Sequence, residues 1–596
     1  MTEPQSIVSL VDVLANSLKR YGPLELFGTK TGDQWRYITY AEFGKLAEDM
    51  RGGLATLGVG RGDKVGIISN NRVEWAAIAY GIYGLGAVIV PMYESQLEKD
   101  WEYIVRDSEL KVLFVATPDI LRKVKDFPAK IPTLQHLALI PDASDGQAAA
   151  VPTYKELMKR GVAQPVPVVR SEGSDVASLL YTSGTTGNPK GVVLSHSNIV
   201  SNVLGVQTNL PIADGDRSLS FLPWAHSFGH TCELHILISI GASTGICDSN
   251  DKIIPYLAEV KPTVLFAVPR IFNRIYSGVE KQIESKPAPI RSLFRAGLRL
   301  AAKKRQNKPL GMMESATLAL ADKIVFAKVR GRFGGNLKYA VSGAAALARE
   351  VADFVDGLGI TVYEGYGLTE TSPIVSCNVP GHRKLGSVGR PIPGVRVVID
   401  TQVTGDPKNG EIVVYGPNVM QGYYKHKAET DAVFTPDGGF RTGDMGYLDD
   451  DNYLYITGRI KEQYKLENGK YVVPSPLEEL VKLSPFISNV MIYGDNKPFN
   501  VALVVANIQA LKEWGAHHGV KHTNPDHLLA DPKVRAKMRE ELDRVCGDFK
   551  GYERIRNFAL LAEDFTLEND MLTPKLSVKR RNVLRRWQKE IDQLYA

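Results

Sequence analysis

The chain has 596 residues, 44% hydrophobic and 23% charged, the usage of a folded globular protein rather than a disordered one. Its 72 basic and 66 acidic residues leave a charge of +6, a mild excess that is no nucleic-acid signature, so no nucleic-acid partner is expected. Four scattered cysteines (Cys232, Cys247, Cys377, Cys546) without CxxC spacing exclude a disulfide framework and favour reduced thiols in a cytoplasmic setting.

At roughly 150 residues per domain the length implies several cooperating units. The N-terminal stretch MTEPQSIVSLVDVLANSLKR places acids early and spaces its apolar residues like a helix, unlike a signal peptide. No window reaches the ~18 to 20 uninterrupted apolar residues of a membrane span; VGIISNNRVEWAAIAYGIYGLGAVIVPMY is broken by Asn70, Asn71, Arg72 and Glu74. From Tyr40 onward, helix-like AEFGKLAEDMRGGLATLG alternates with the short apolar runs KVGIISN, GAVIVPMY and KVLFVAT, which predicts an α/β fold with a parallel sheet. A second series, ASLLYTSG, STGICDS, TVLFAVP, LKYAVSG and ITVYEGYG, repeats the pattern of strand and polar or Gly-containing loop. In such sheets ligands collect at the C-terminal strand ends. Between Pro391 and Asp450 the short runs VRVVID, GEIVVYG and YLYITG predict a small β subdomain, about 391–458. After Arg459 a polar stretch leads into a new mixed unit, so the expected division is a large domain over 1–460 and a mobile α+β domain over 461–596.

The segment Tyr181 to Val192, YTSGTTGNPKGV, carries the clearest chemistry. Ser183, Thr185 and Thr186 offer hydroxyls, Gly184 and Gly187 admit a ligand close to backbone N–H groups, and Lys190 adds positive charge: the makings of a polyphosphate cradle. The order of residues is not that of a Walker loop, and a plain Gly/Ser/Thr turn is the structural alternative.

This segment resembles the signature loop of the adenylate-forming superfamily, which includes acyl-CoA synthetases, peptide-synthetase adenylation domains and firefly-type luciferases. The resemblance extends through motifs in that family's order from Tyr181 to Arg459, and more weakly to the C-terminus. It implies the acyl-CoA synthetase-like fold: two α/β subdomains, a small β subdomain and the mobile C-terminal domain. It also implies ATP, Mg²⁺ and coenzyme A as cofactors and co-substrate.

Site roles follow from the same resemblance. Thr182, Ser183, Gly184, Thr185, Thr186 and Gly187 would contact the nucleotide, with Lys190 neutralising phosphate. In YEGYGLTE (Tyr363 to Glu370), Glu364, Gly365, Tyr366 and Gly367 would line the nucleotide, Tyr366 stacking on adenine. Thr369 would bond the α-phosphate and Glu370 would hold Mg²⁺, a hard carboxylate for a hard ion. Gly343 and Ala344 of VSGA would border adenine and the acyl carboxylate, although a strand-ending turn would read the same. Asp444 of RTGDMG would accept both ribose hydroxyls, Arg459 would reach the nucleotide, and Lys461 falls at the family's pivot. His226 of FLPWAHSFGH would help position the carboxylate; a satisfied core or surface histidine is the alternative, and His230 is weaker still.

The chain departs from the pattern at the late catalytic lysine. Aligning LTPKLSVKRR (Leu572 to Arg581) puts Ser577 where fatty acyl-CoA synthetases usually have lysine. If this segment is extended, Lys575, Ser577 and Lys579 share one face, and Lys575 is the expected substitute, with Lys579 or an ordinary solvated lysine as alternatives. KPTVLFAVPRIFNRIY, the insertion 281–335 and KLENGKYVVPSPLEE resemble long-chain fatty acyl-CoA synthetases, which implies a fatty acid:CoA ligase. The alternatives are an acyl-AMP ligase loading a carrier protein and a catalytically weak nucleotide-binding homologue. Within the insertion, Arg291, Arg295, Arg299 and Lys303 recur every four residues on a predicted helix. It could rest peripherally on the inner face of an anionic membrane, or form a solvated face.

Overall fold

Apolar runs bounded by turn residues become strands, and those buried on both faces carry the fold. In the computed structural model, which describes residues 7–141, 151–182, 188–306, 308–547, 549–573 and 576–596, they build four sheets among the described residues up to Arg459. The seven-stranded sheet runs Gly422–Tyr423, Lys190–Ser195, Val176–Thr182, Val88–Met92, Lys64–Ile68, Val112–Val115, His136–Leu139. The last five are parallel, and the first two close the edge antiparallel. Helix Val73–Tyr83 is buried on almost every side, and Tyr40–Thr56 starts on a capping box in which Thr39 and Glu42 satisfy each other's backbone N–H groups. These are the helices and strands expected from Tyr40 onward.

The second sheet orders Val264–Ala267, Tyr339–Ser342 and Thr361–Gly367 in parallel, then Ile374–Cys377 and Arg390–Pro391 antiparallel. Two members expected in this series lie elsewhere. Val176–Thr182 pairs with Val88–Met92 in the first sheet, and Ser243–Ile246 joins a four-stranded sheet with the hairpin Glu25–Thr31 and Gln34–Thr39. An apolar run fixes that a strand forms and which faces it buries, not which neighbour it pairs with.

The β-type runs from Pro391 onward form the four-stranded antiparallel sheet Arg396–Asp400, Gly410–Tyr415, Phe440–Leu448, Leu454–Arg459. Beyond it, Ile487–Tyr493, Asn500–Ala506 and Ile555–Leu561 make a three-stranded sheet. Its middle strand is buried at every residue, because Val504, Leu542 and Phe558 lie in a core on one face while Leu503, Val583 and Ile591 lie in a core on the other.

The insertion folds as helices Ala288–Arg305 and Met312–Ala321, the first anchored by Phe294 against Phe326. The expected basic stripe is present but half neutralised: Arg295 pairs with Glu280 and Lys303 with Glu314, leaving Arg291 and Arg299 exposed. The four cysteines are buried and free. Among the described residues no helix is long and apolar enough to cross a membrane.

Candidate active site

The strand Val176–Thr182 turns back antiparallel into Lys190–Ser195 with Thr182 directly opposite Lys190. That pair closes the base of the predicted phosphate loop. Ser183, Gly184, Thr185, Thr186 and Gly187 lie outside the described residues. The Lys190 ammonium sits 5.3 Å from the centre of the Tyr423 ring and 3.9 Å from the Glu429 carboxylate. Tyr423 belongs to the short edge strand paired with Lys190–Ser195, opposite Val192.

From the other side, Glu370 reaches the same tyrosine. It follows strand Thr361–Gly367, and its carboxylate accepts the Tyr423 hydroxyl at 3.0 Å while its carbonyl accepts the Met420 N–H at 2.9 Å. Tyr423 thus stands between the lysine and the acid that sequence reasoning put in the reaction. Neither Tyr423 nor Glu429 was singled out, since a tyrosine in QGYYK carries no chemical signature of its own. Thr369 is buried, with its hydroxyl 3.2 Å from that of Ser227. This links the YEGYGLTE turn to the FLPWAHSFGH loop.

Tyr366 is held by its hydroxyl, which donates to Asp444 Oδ2 at 2.7 Å. The other Asp444 oxygen lies 3.0 Å from Arg459 Nε, and the two residues face each other across the pair Phe440–Leu448 and Leu454–Arg459. Burial pushes the Asp444 carboxyl up, against the opposing pull of the Arg459 guanidinium and the Tyr366 hydroxyl. The Asp444 charge, in turn, raises Arg459. Arg459 leads directly into the 3-10 turn Ile460–Glu462, the predicted pivot.

Two glycines have local reasons. A Cβ on Gly367 would lie 1.9 Å from the Pro373 carbonyl oxygen, so the hairpin after YEGYG closes only over glycine; one on Gly343 would press within 3.1 Å of the Phe228 ring. The VSGA loop therefore packs on the His226 loop, and its Ala344 takes a left-handed φ of 70°, an uncommon conformation for alanine. Gly365 lies between the two motif residues Glu364 and Tyr366 on the same strand.

Glu364 is buried and accepts backbone N–H groups from Gly386 and Leu347, yet burial raises its carboxyl to about 7. The folded state therefore holds a proton that the unfolded chain, with an ordinary value of 4.5, releases. The sign follows: this stabilisation is complete below about pH 4.5 and is lost as pH rises toward about 7. Glu364→Gln should remove the dependence and add up to about 3 kcal/mol above neutrality, read from melts at about pH 5 and about pH 8. The same pH slope in variant and parent would rule out Glu364 as its source.

His226 is half-buried in a tight turn: its N–H donates to the Pro223 carbonyl, and its Nδ1 accepts the Phe228 N–H at 3.1 Å. Neutral His226 therefore carries its proton on Nε2. His230 is a core residue, contacting the Tyr83 hydroxyl (3.1 Å), the Ser178 hydroxyl (3.4 Å) and the Trp224 carbonyl (3.1 Å), with burial pushing it down to about 4. The loop hangs on two residues that sequence reasoning left out of the site. Asn71 donates to Ser220 and to the Leu222 carbonyl and accepts the Trp224 N–H, and buried Glu233 accepts the Ser220 hydroxyl and the N–H groups of Phe221 and Leu222. The signal for Glu233 was an acid inside an otherwise apolar run, CELHILISI.

Lys575 lies outside the described residues. Among the described neighbours, Leu572 bridges Val578, the Thr573 N–H donates to the Ser577 carbonyl at 2.9 Å, and Leu576 has φ 61°. Lys579 is engaged by Asp570 at 2.5 Å, and Asp570 also lies 3.8 Å from Lys99 of the N-terminal region.

The fold and its strand-end motifs are those of the adenylate-forming enzymes. The chain belongs to the AMP-binding enzyme family: that family's sequence model matches residues 20–424, and the AMP-binding enzyme C-terminal domain matches residues 461–596. A long-chain-fatty-acid–CoA ligase of Mycobacterium tuberculosis is 34% identical, aligned over 94% of this chain and 92% of that protein. A peroxisomal long chain acyl-CoA synthetase of Arabidopsis thaliana is 31% identical over 99% of this chain and 87% of its own. Among solved structures, the adenylation domain of a carboxylate reductase from Mycobacterium chelonae superposes with a TM-score of 0.82 at 22% identity, covering 100% of this chain and 92% of that one. An anthranilate CoA ligase in complex with anthranoyl-AMP gives 0.74 at 21% identity, covering 98% of each chain.

Proposed function

We propose that this chain is an ATP-dependent, AMP-forming long-chain fatty acid:CoA ligase. The observation that carries the reading is the convergence of Lys190 and Glu370 on Tyr423, a cation and a hard anion brought together at one strand end. The fatty substrate and the CoA acceptor are argued from the long-chain ligases and synthetases to which nearly the whole chain aligns.

The fatty carboxylate attacks the α-phosphorus of ATP, forming the acyl–phosphate bond and releasing pyrophosphate; the CoA thiol then attacks the acyl carbonyl and AMP leaves. Lys190 neutralises phosphate oxygens, Thr369 donates to the α-phosphate, and Nε2 of His226 orients the carboxylate. Asp444, held between Tyr366 and Arg459, accepts the ribose hydroxyls. A single carboxylate fits Mg²⁺, which commonly takes one or two protein acids alongside substrate phosphates; no cluster of three or more His, Cys, Asp or Glu able to hold a metal occurs among the described residues. Glu370 would hold it, and the ion when bound would supply charge stabilisation to the pyrophosphate leaving group. The division of labour between 1–460 and a C-terminal domain turning about Lys461 belongs to the same reading, as does Lys575 as the late lysine. A cytoplasmic enzyme at the inner face of a membrane, where its substrate partitions, is the setting we infer.

The test is an ATP and palmitate assay following AMP release and palmitoyl-CoA with and without CoA. Multiple-turnover AMP release should require CoA and match palmitoyl-CoA formed. No AMP in either arm overturns the enzyme reading, and AMP release without palmitoyl-CoA rejects CoA as acceptor. An unchanged adenylation rate in Lys575→Ala rejects that residue as the late lysine.

A further inference from the structure

The insertion carries a surface that the proposed chemistry does not use. Helix Met312–Ala321 turns Leu318 and Ala321 toward the protein core. Met312, Met313, Ala316, Ala319 and Leu320 are exposed, Met312 at 92% and Met313 at 85% of full exposure. At 100° per residue these five fill an arc of about 120° opposite the packed side. A soluble helix buries such an arc; this one presents it outward.

Its charge surroundings narrow what could cover it. Residues 285–335 contain twelve basic and two acidic residues, so this segment alone exceeds the +6 of the whole chain. Both acids are already paired, Glu314 with Lys303 and Asp322 with Arg330. Lys304 and Lys308 stand exposed before the apolar arc, and Lys323 and Lys328 after it. A second copy of the chain on this face would set two strongly positive segments against each other. An anionic lipid surface matches both halves: phosphate charge for the lysines, acyl chains for the methionines and leucine.

We propose that helix Met312–Ala321 docks this protein on anionic bilayers, its methionine-rich arc entering the headgroup boundary between flanking lysines. This moves the membrane contact from the arginine stripe of Ala288–Arg305, half of which is internally paired, to the next helix.

The full chain is tested by co-sedimentation with vesicles of phosphatidylcholine alone or mixed equally with phosphatidylglycerol, without ATP or fatty acid, so a failure here leaves the ligase reading untouched. Binding to the anionic vesicles should weaken about tenfold in Met312→Ser/Met313→Ser and about tenfold in Lys304→Glu/Lys308→Glu. Only the lysine variant should also lose salt sensitivity. Melting temperatures within about two degrees of the parent show that folding is intact, as expected for exposed sites. Equal affinity for both vesicle types, or variants that bind like the parent, overturns the proposal. So does a concentration-dependent dimer in gel filtration that the methionine variant abolishes, which would make a second copy the occupant.

Discussion

Replacing Glu370 by Gln is expected to lower the rate of AMP release by about a hundredfold or more, through kcat rather than through the KM for fatty acid. The reason is chemical, because the amide keeps the shape of the side chain. Its oxygen can still accept the Tyr423 hydroxyl, now 3.0 Å from the carboxylate, and the Glu370 carbonyl still accepts the Met420 N–H. What disappears is the anion. In the ligase reading that anion holds Mg²⁺ against the phosphates, and a neutral amide oxygen is a weaker ligand for so small and hard an ion. The melting temperature should therefore stay within about two degrees of the parent, while the Mg²⁺ concentration giving half-maximal rate rises. A rate within threefold of the parent at saturating Mg²⁺ would remove Glu370 from the chemistry. The companion change Tyr423→Phe tests the scaffold: losing one hydroxyl bond to a charged group should cost about 1.5 to 3 kcal/mol at most, shared between stability and catalysis.

The parts of this site that could be read from sequence are those whose chemistry is local. A glycine-rich loop between two apolar runs, an aspartate in a glycine turn and a Thr-Glu pair after a strand announce themselves within a dozen residues. The strands bearing them form as expected, because burial on one or both faces is a local pattern. The partners are long-range. Tyr423 meets Glu370 across 53 positions, Tyr366 meets Asp444 across 78, and Asn71 holds the His226 loop from about 150 positions away. No periodicity encodes such meetings, since they depend on which strand each sheet recruits. That recruitment places Val176–Thr182 and Ser243–Ile246, strands of the second series, in two other sheets. The C-terminal segment differs in kind. Thr573 and Ser577 close on each other and Leu572 bridges Val578, contacts that counting alternate residues along a strand does not anticipate.

In the proposed ligase, the Asp444–Tyr366–Arg459 group would tie nucleotide binding to the turn Ile460–Glu462 at the proposed pivot. Asp444 is 4% exposed and spends one oxygen on the Tyr366 hydroxyl and the other on the Arg459 guanidinium. A carboxylate can accept these bonds and still offer lone pairs to two ribose hydroxyls. Asn has one acceptor oxygen: kept on the Arg459 N–H, it leaves the amide N–H groups toward the Tyr366 hydroxyl and the ribose, where the carboxylate's second acceptor is lost, and the flipped amide would meet the arginine N–H donor against donor. Asp444→Asn should thus weaken ATP use by about a hundredfold in kcat/KM, carried mainly by KM for ATP, at the roughly 1.5 to 3 kcal/mol that a hydrogen bond to a charged group contributes. Arg459 loses its ion partner in the same stroke and is freed next to Ile460–Glu462, so the thioester-forming half-reaction, started from supplied palmitoyl-AMP, should also slow. Tyr366→Phe separates the two effects. It leaves the ion pair intact, removes one donor to the carboxylate, and should raise KM for ATP only several-fold without touching the second half-reaction. Equal slowing of both half-reactions in Tyr366→Phe, or an unchanged KM for ATP in Asp444→Asn, would show that this buried carboxylate holds the domains together without holding the nucleotide.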